Sequence, residues 1–142
     1  MDDKEERENR CNLVSVCMKE LFEQKVFEKL ISGPNLDEMD TWLDPEIKKY
    51  FTELDAVQRY YTPEDFVDLG TLLLDDEHIK HEKCGIINYS IQTELKKKAT
   101  EVLSKAGSIE EADEALKKLL ADTKKEGEFV CNWYGIDPNT EE

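Results

Sequence analysis

ERENRCNLVSVCMKELFEQKVFEKLISGPN, from Glu6 to Asn35, is the stretch that decides the fold class. Its apolar positions Leu13, Val14, Cys17, Met18, Leu21, Phe22, Val26 and Leu30 recur at steps of three and four residues, the spacing that lines one face of an α-helix. Ser32, Gly33 and Pro34 then interrupt the pattern, and Asn35, whose side chain can accept from open backbone N–H groups, starts another helix. The spacing predicts one long amphipathic helix from about Glu6 to Ile31.

The same punctuation continues downstream. Asn35 is expected to cap a short helix through Leu43, and Asp44-Pro45-Glu46 reads as a second start, with proline where a missing N–H costs nothing. Thr62-Pro63-Glu64-Asp65 repeats that signal, and Ser108 with Glu111 forms a capping box just after Gly107. Gly127 is expected to close the last helix. Strand evidence is confined to the short clusters Ile86-Ile87 and Phe129-Val130, which lack an alternating partner. The expected fold is all-α, a single-domain bundle of five or six helices with short connections over residues 1–134. The bundle is expected to end in an aromatic C-terminal segment, Phe129, Val130, Cys131, Trp133, Tyr134 and Ile136, and residues 135–142 to form a flexible tail.

Charge is the second strong feature. Of a net −15, −10 lies between Asn35 and Glu77, where thirteen acidic side chains face only Lys48, Lys49 and Arg59. That stretch also holds Leu36, Trp42, Tyr50, Phe51, Tyr60, Phe66 and Leu72 to Leu74, so it reads as a folded acidic surface rather than a disordered tail. Such a field attracts positive partners, argues against nucleic acid or anionic lipid as direct ligands, and makes part of the stability salt-dependent. Residues 78 to 106, with Lys80, Lys83, Lys96, Lys97, Lys98 and Lys105, carry the opposite sign, and that asymmetry leaves a homodimer open. No apolar run approaches the roughly 20 residues needed to span a bilayer, and the charged start Met1-Asp2-Asp3-Lys4 lacks the apolar core of a secretory signal. A cytoplasmic location is expected, with Cys11, Cys17, Cys84 and Cys131 as buried thiols.

Chemistry-bearing motifs are weak. Leu72-Leu73-Leu74-Asp75-Asp76-Glu77 resembles a strand ending in magnesium-binding acids, but none of the six glycines is followed by lysine, so no phosphate-binding loop accompanies it. A helix continuing from Thr62 through this string is expected instead, with Phe66, Leu69 and Leu73 inward. His78, His81 and Cys84 are ligand types that zinc accepts. Yet His78 and Cys84 stand about 9 Å apart along a continuous helix, so a site requires the helix to end near Gly85. A nucleophilic pairing of Cys84 with His81 lacks an orienting third group. No enzyme activity and no cofactor are therefore expected.

Aromatics rimmed by carboxylates suit a surface that grips arginine-rich protein through paired charge, stacking and cation–π contact. The leading expectation is a non-enzymatic acidic protein that docks on a basic partner surface, acting as an inhibitor that occludes a nucleic-acid-binding site. Its candidate contacts are Asp37, Asp40, Trp42, Asp44, Asp65, Asp68, Asp75, Asp76, Trp133 and Tyr134. The alternatives are an adaptor or assembly subunit docking through Trp133 and Tyr134, and a metal-dependent enzyme or zinc-stabilised domain around His78, His81 and Cys84.

Overall fold

A computed structural model describes residues 3–65 and 75–137. These are all-helical, and no strand occurs among them. The order is α1 (Lys4–Ile31), α2 (Leu36–Tyr61), a 3-10 turn at Pro63–Asp65, α3 (Asp76–Lys105) and α4 (Ile109–Trp133). Each start is a side-chain cap. Asp3 accepts from the backbone of Glu5 and Glu6, and Asn35 and Glu38 bond reciprocally in a full capping box. Ser108 accepts from Glu111 N–H at 3.2 Å, while the Glu111 carboxylate accepts from Gly107 N–H at 3.1 Å. Gly33, at φ 89°, makes the left-handed turn that lets the chain leave α1 and enter α2.

Several boundaries differ from expectation. Asp44-Pro45 does not start a helix, because α2 runs through it. Met39, Leu43, Ile47 and Phe51, spaced four apart, form one buried ladder across that point, and Pro45 faces solvent. Burying those four side chains, at about 1.5–3 kcal/mol each, outweighs the roughly 3 kcal/mol cost of an interior proline. Asp44 is drawn into ion pairs instead of capping. Gly85 and Gly127 likewise lie inside continuous helices, so Ile86, Ile87, Phe129 and Val130 are helical. The aromatic C-terminal residues therefore belong largely to α4. The expected helix from Thr62 cannot continue through Asp75, which is extended (ψ 142°) and caps α3; Phe66, Leu69 and Leu73 lie outside the described residues.

Lys4 pairs with Asp65, and Arg7 donates to the Tyr61 carbonyl at 2.7 Å and pairs with Glu64. The start of α1 therefore lies beside the end of α2, and the two helices run antiparallel. Across α3 and α4, Cys84 meets Cys131 and Asn88 meets Gly127, so this hairpin is antiparallel too. Besides α4, α3 packs against both α1 and α2.

The core lies where one half of each helix meets the others. It takes Phe22 and Val26 from α1, the Met39 to Phe51 ladder from α2, Ile79, Cys84, Ile87 and Ile91 from α3, and Val130 and Tyr134 from the end of α4. Ile136 packs against this cluster and its N–H donates to the Cys131 carbonyl, so the expected flexible tail is tied down at its start. The outer halves extend beyond the core. Leu13, Cys17 and Leu21, expected to face inward, are exposed on α1, because the neighbouring helix covers only the face through Val14, Met18 and Phe22. The chain exposes 9712 Å², against roughly 7,600 Å² for a compact monomer of its mass.

A carboxylate groove built around Lys83

On α3, Ile79, Lys83, Ile87 and Ile91 follow one another at four-residue steps. A lysine thus occupies a rung of an inward-facing apolar ladder, and its side chain enters the interface with α2. Lys83 is only 8% exposed, and its ammonium pairs with Asp44 Oδ1 at 2.8 Å and Asp40 Oδ1 at 3.1 Å. From the C-terminal end of α4, the Tyr134 hydroxyl donates to the same Asp40 oxygen at 2.9 Å. Asp44 also holds Lys48 at 2.9 Å through its other oxygen. One buried cation thereby joins three helical elements.

The titration behaviour follows from this packing. Burial alone would push Lys83 down, but its hydrogen bonds to Asp44 and Asp40 outweigh that, and the net shift is upward. Asp44 is held below the usual carboxylate range by its bonds to Lys83 and then Lys48. Burial, reinforced by the bond to Asp40, pushes the Tyr134 phenol far above its ordinary value. At neutral pH the Lys83 ammonium, the Asp44 carboxylate and the neutral Tyr134 phenol are all in the state the cluster favours.

Above this cluster lies a groove of about 330 Å³ lined by Asp40, Asp44, Asp76, Ile79, Lys80, Lys83, Trp133 and Tyr134. Five of the ten candidate contacts read from the sequence meet here: Asp40, Asp44, Asp76, Trp133 and Tyr134. Their roles divide. Tyr134 is a buried strut, whereas Trp133 is 41% exposed on the rim and meets the Tyr134 ring edge-on. Asp76 is exposed in the first turn of α3.

The other candidates lie elsewhere. Asp37 is exposed in the first turn of α2, and Trp42, half-buried against the core, has the Lys29 ammonium 5.9 Å from its ring centroid. Asp65 pairs with Lys4, and Asp75 is bound to the backbone of Glu77 and His78, which lowers its pKa. Asp68 lies outside the described residues. The acidic stretch is therefore not one uniform face. Lys48, Lys49 and Arg59 interrupt the outer side of α2, and Lys83 neutralises part of its inner side.

His78, His81 and Cys84 do not assemble. With α3 continuous through Gly85, both histidines are exposed beside Asp75 and Glu77 while Cys84 turns into the core. Among the described residues, no three His, Cys, Asp or Glu side chains gather closely enough to hold a metal ion. The expectation of four buried thiols is corrected as well, since Cys17 is exposed and Cys11 and Cys131 are half-buried. Among the described residues, no helix is long and apolar enough to cross a membrane.

In the sequence Lys83 is one of six lysines of the basic stretch 78–106, which reads as a solvated helix face or as a partner for the acidic stretch, and nothing in that charge count singles it out as a structural centre. The available signal was its register with Ile79, Ile87 and Ile91. No family model, curated protein or solved structure matches this chain, so the side chains of the groove carry the functional reading.

Proposed function

We propose that this chain is a non-enzymatic binding protein that docks on a basic surface of a partner protein, seating an arginine side chain against Trp133 at the carboxylate groove. The observation that carries the reading is an exposed indole fixed beside Asp40, Asp44 and Asp76 on a chain of net charge −15. A guanidinium can stack on the indole while its edge bonds carboxylate oxygen, a combination that suits arginine better than lysine. Lys83 is enclosed by its two aspartates and serves to hold them in place. The wider field follows the helices: α1 has six acids against six bases, α2 seven against three, and α4 seven against four. A protein that lays this charge on a basic surface would compete there with nucleic acid, which is the inhibitor reading.

The test uses the Trp42→Phe protein, so that Trp133 alone reports by fluorescence, titrated with an oligo-arginine peptide and its lysine counterpart at low and high salt. The arginine peptide should bind more tightly, with affinity falling as salt rises. Trp133→Ala and Asp76→Asn, followed by calorimetry, should each weaken binding about tenfold, equivalent to roughly 1.4 kcal/mol. Diffuse attraction to a polyanion would survive both substitutions, and that result would overturn the assignment of the groove.

One set of observations favours a second reading, an adaptor or assembly subunit. Leu13, Val16 and Leu21 on α1, and Leu103, Ile109 and Leu120 on the outer part of the α3–α4 hairpin, are all more than half exposed. Docking through these would resist salt and respond to Leu13→Asp or Leu21→Asp. Tyr134→Ala cannot distinguish the readings, because it removes a core residue.

A further inference from the structure

The sulfurs of Cys84 and Cys131 face each other across the α3–α4 hairpin at 3.7 Å. That is contact distance, from which a modest approach reaches the roughly 2.05 Å of a disulfide. Asn88, one turn after Cys84, places Nδ2 at 3.5 Å from both sulfurs. Gly127, one turn before Cys131, lets the helices come this close, since a Cβ there would lie 3.1 Å from Asn88 Oδ1. Cys84 is buried and Cys131 half-buried, which gives the pair one deep thiol and one within reach of solvent.

We propose that Cys84 and Cys131 are a redox modification site, a dithiol that a hydroperoxide converts to an intramolecular disulfide. The Cys131 thiolate attacks one peroxide oxygen; the S–O bond forms as the O–O bond breaks, and with hydrogen peroxide the other oxygen leaves as water. The Cys84 thiolate then attacks the sulfenic sulfur of Cys131; the S–S bond forms, the S–O bond breaks, and hydroxide leaves as a second water. Two thiols lose two electrons and two protons, and the peroxide takes them up. The Asn88 amide can donate towards whichever sulfur carries the developing charge.

The bond would reach the groove through the chain itself. Cys84 follows Lys83, and Cys131 precedes Trp133 by two residues and Tyr134 by three. Oxidation would tie α3 to α4 directly behind the groove and stiffen its Lys83 and Trp133 walls. This consequence for binding rests on the basic-partner reading, whereas formation of the bond does not.

The test uses the full chain carrying Cys11→Ser and Cys17→Ser, exposed to graded hydrogen peroxide and then unfolded in urea with N-ethylmaleimide, so that the buried Cys84 is labelled as well. The expected result is loss of both maleimide adducts in step, a peptide pair linked through Cys84 and Cys131, and full reversal by dithiothreitol. The oxidised protein should melt roughly 5–10 °C higher, from closure of a loop of about 47 residues. Sulfinic or sulfonic acid accumulating on Cys131 while Cys84 stays open to maleimide would overturn the proposal, as would disulfides found only between chains. Oligo-arginine affinity is then compared between the two redox forms. A linked peptide without a change in affinity retains the modification site and removes its control over the groove. Unchanged cysteines in a protein that still binds oligo-arginine overturn the modification site alone.

Discussion

Lys83→Met isolates the ion cluster behind the groove. Methionine preserves the buried stem of the lysine while deleting the ammonium that bridges Asp40 and Asp44. In a fully buried site, removing one partner leaves an uncompensated charge and costs about 3–5 kcal/mol. Here the two carboxylate side chains remain 28% and 38% exposed, so water recovers part of that loss. Asp44 also keeps Lys48, and Asp40 keeps the Tyr134 hydroxyl. The expected loss is therefore about 2 kcal/mol, or a melting temperature lower by roughly 4–8 °C for a chain of this length. Urea unfolding followed by circular dichroism measures it. Adding Asp40→Asn and Asp44→Asn to Lys83→Met removes the stranded charge while leaving an oxygen for Tyr134, and should restore most of the stability. A loss below about 0.5 kcal/mol, or no recovery in the triple variant, would refute the placement of Lys83 as the electrostatic centre of these helices.

Two further outcomes follow from the same geometry. Asp44 is lowered from 3.8, so its contribution is present above that value and fades as pH falls through its folded pKa; Lys83 and Tyr134 are raised from 10.5 and 10.0, so theirs fade as pH rises through their folded values. Thermal melts across pH should therefore show an alkaline loss beginning above about pH 10 that is reduced in Lys83→Met and in Tyr134→Phe, and an equal alkaline limb in all three proteins would contradict the coupling. Among the described residues the hydroxyl of the fully buried Ser90 meets no hydrogen-bond partner, so Ser90→Ala should be neutral or stabilising by up to about 1 kcal/mol in urea unfolding; a clear loss would show that the hydroxyl is bonded.

Local signals were legible where the chemistry is local. Asn35 and Ser108 cap helices because their oxygens meet the N–H groups three residues ahead, and Gly33 turns the chain because it tolerates positive φ. Asp44-Pro45 and Gly127 carry equally strong local signals, yet each lies within a helix. At Pro45 the buried ladder of α2 overrides the break. At Gly127 the missing side chain is used for close approach to Asn88 instead of for termination. The candidate site was legible in part because Asp40, Asp44, Asp76, Trp133 and Tyr134 were singled out by residue type, while their convergence was not. Asp40 and Tyr134 are 94 residues apart in the chain, and nothing in either segment encodes the meeting.

By itself, then, the sequence determined the all-helical class, the capped starts at Asn35 and Ser108 and a strong negative charge. These depend on periods of three to four residues, on caps that act within one turn, and on composition. Only the tertiary structure decided which carboxylates are free. Packing α3 against α2 carries Lys83 between Asp40 and Asp44, and the end of α4 brings Tyr134 to the same oxygen, because burying an apolar ladder fixes the position of every polar side chain that shares its register.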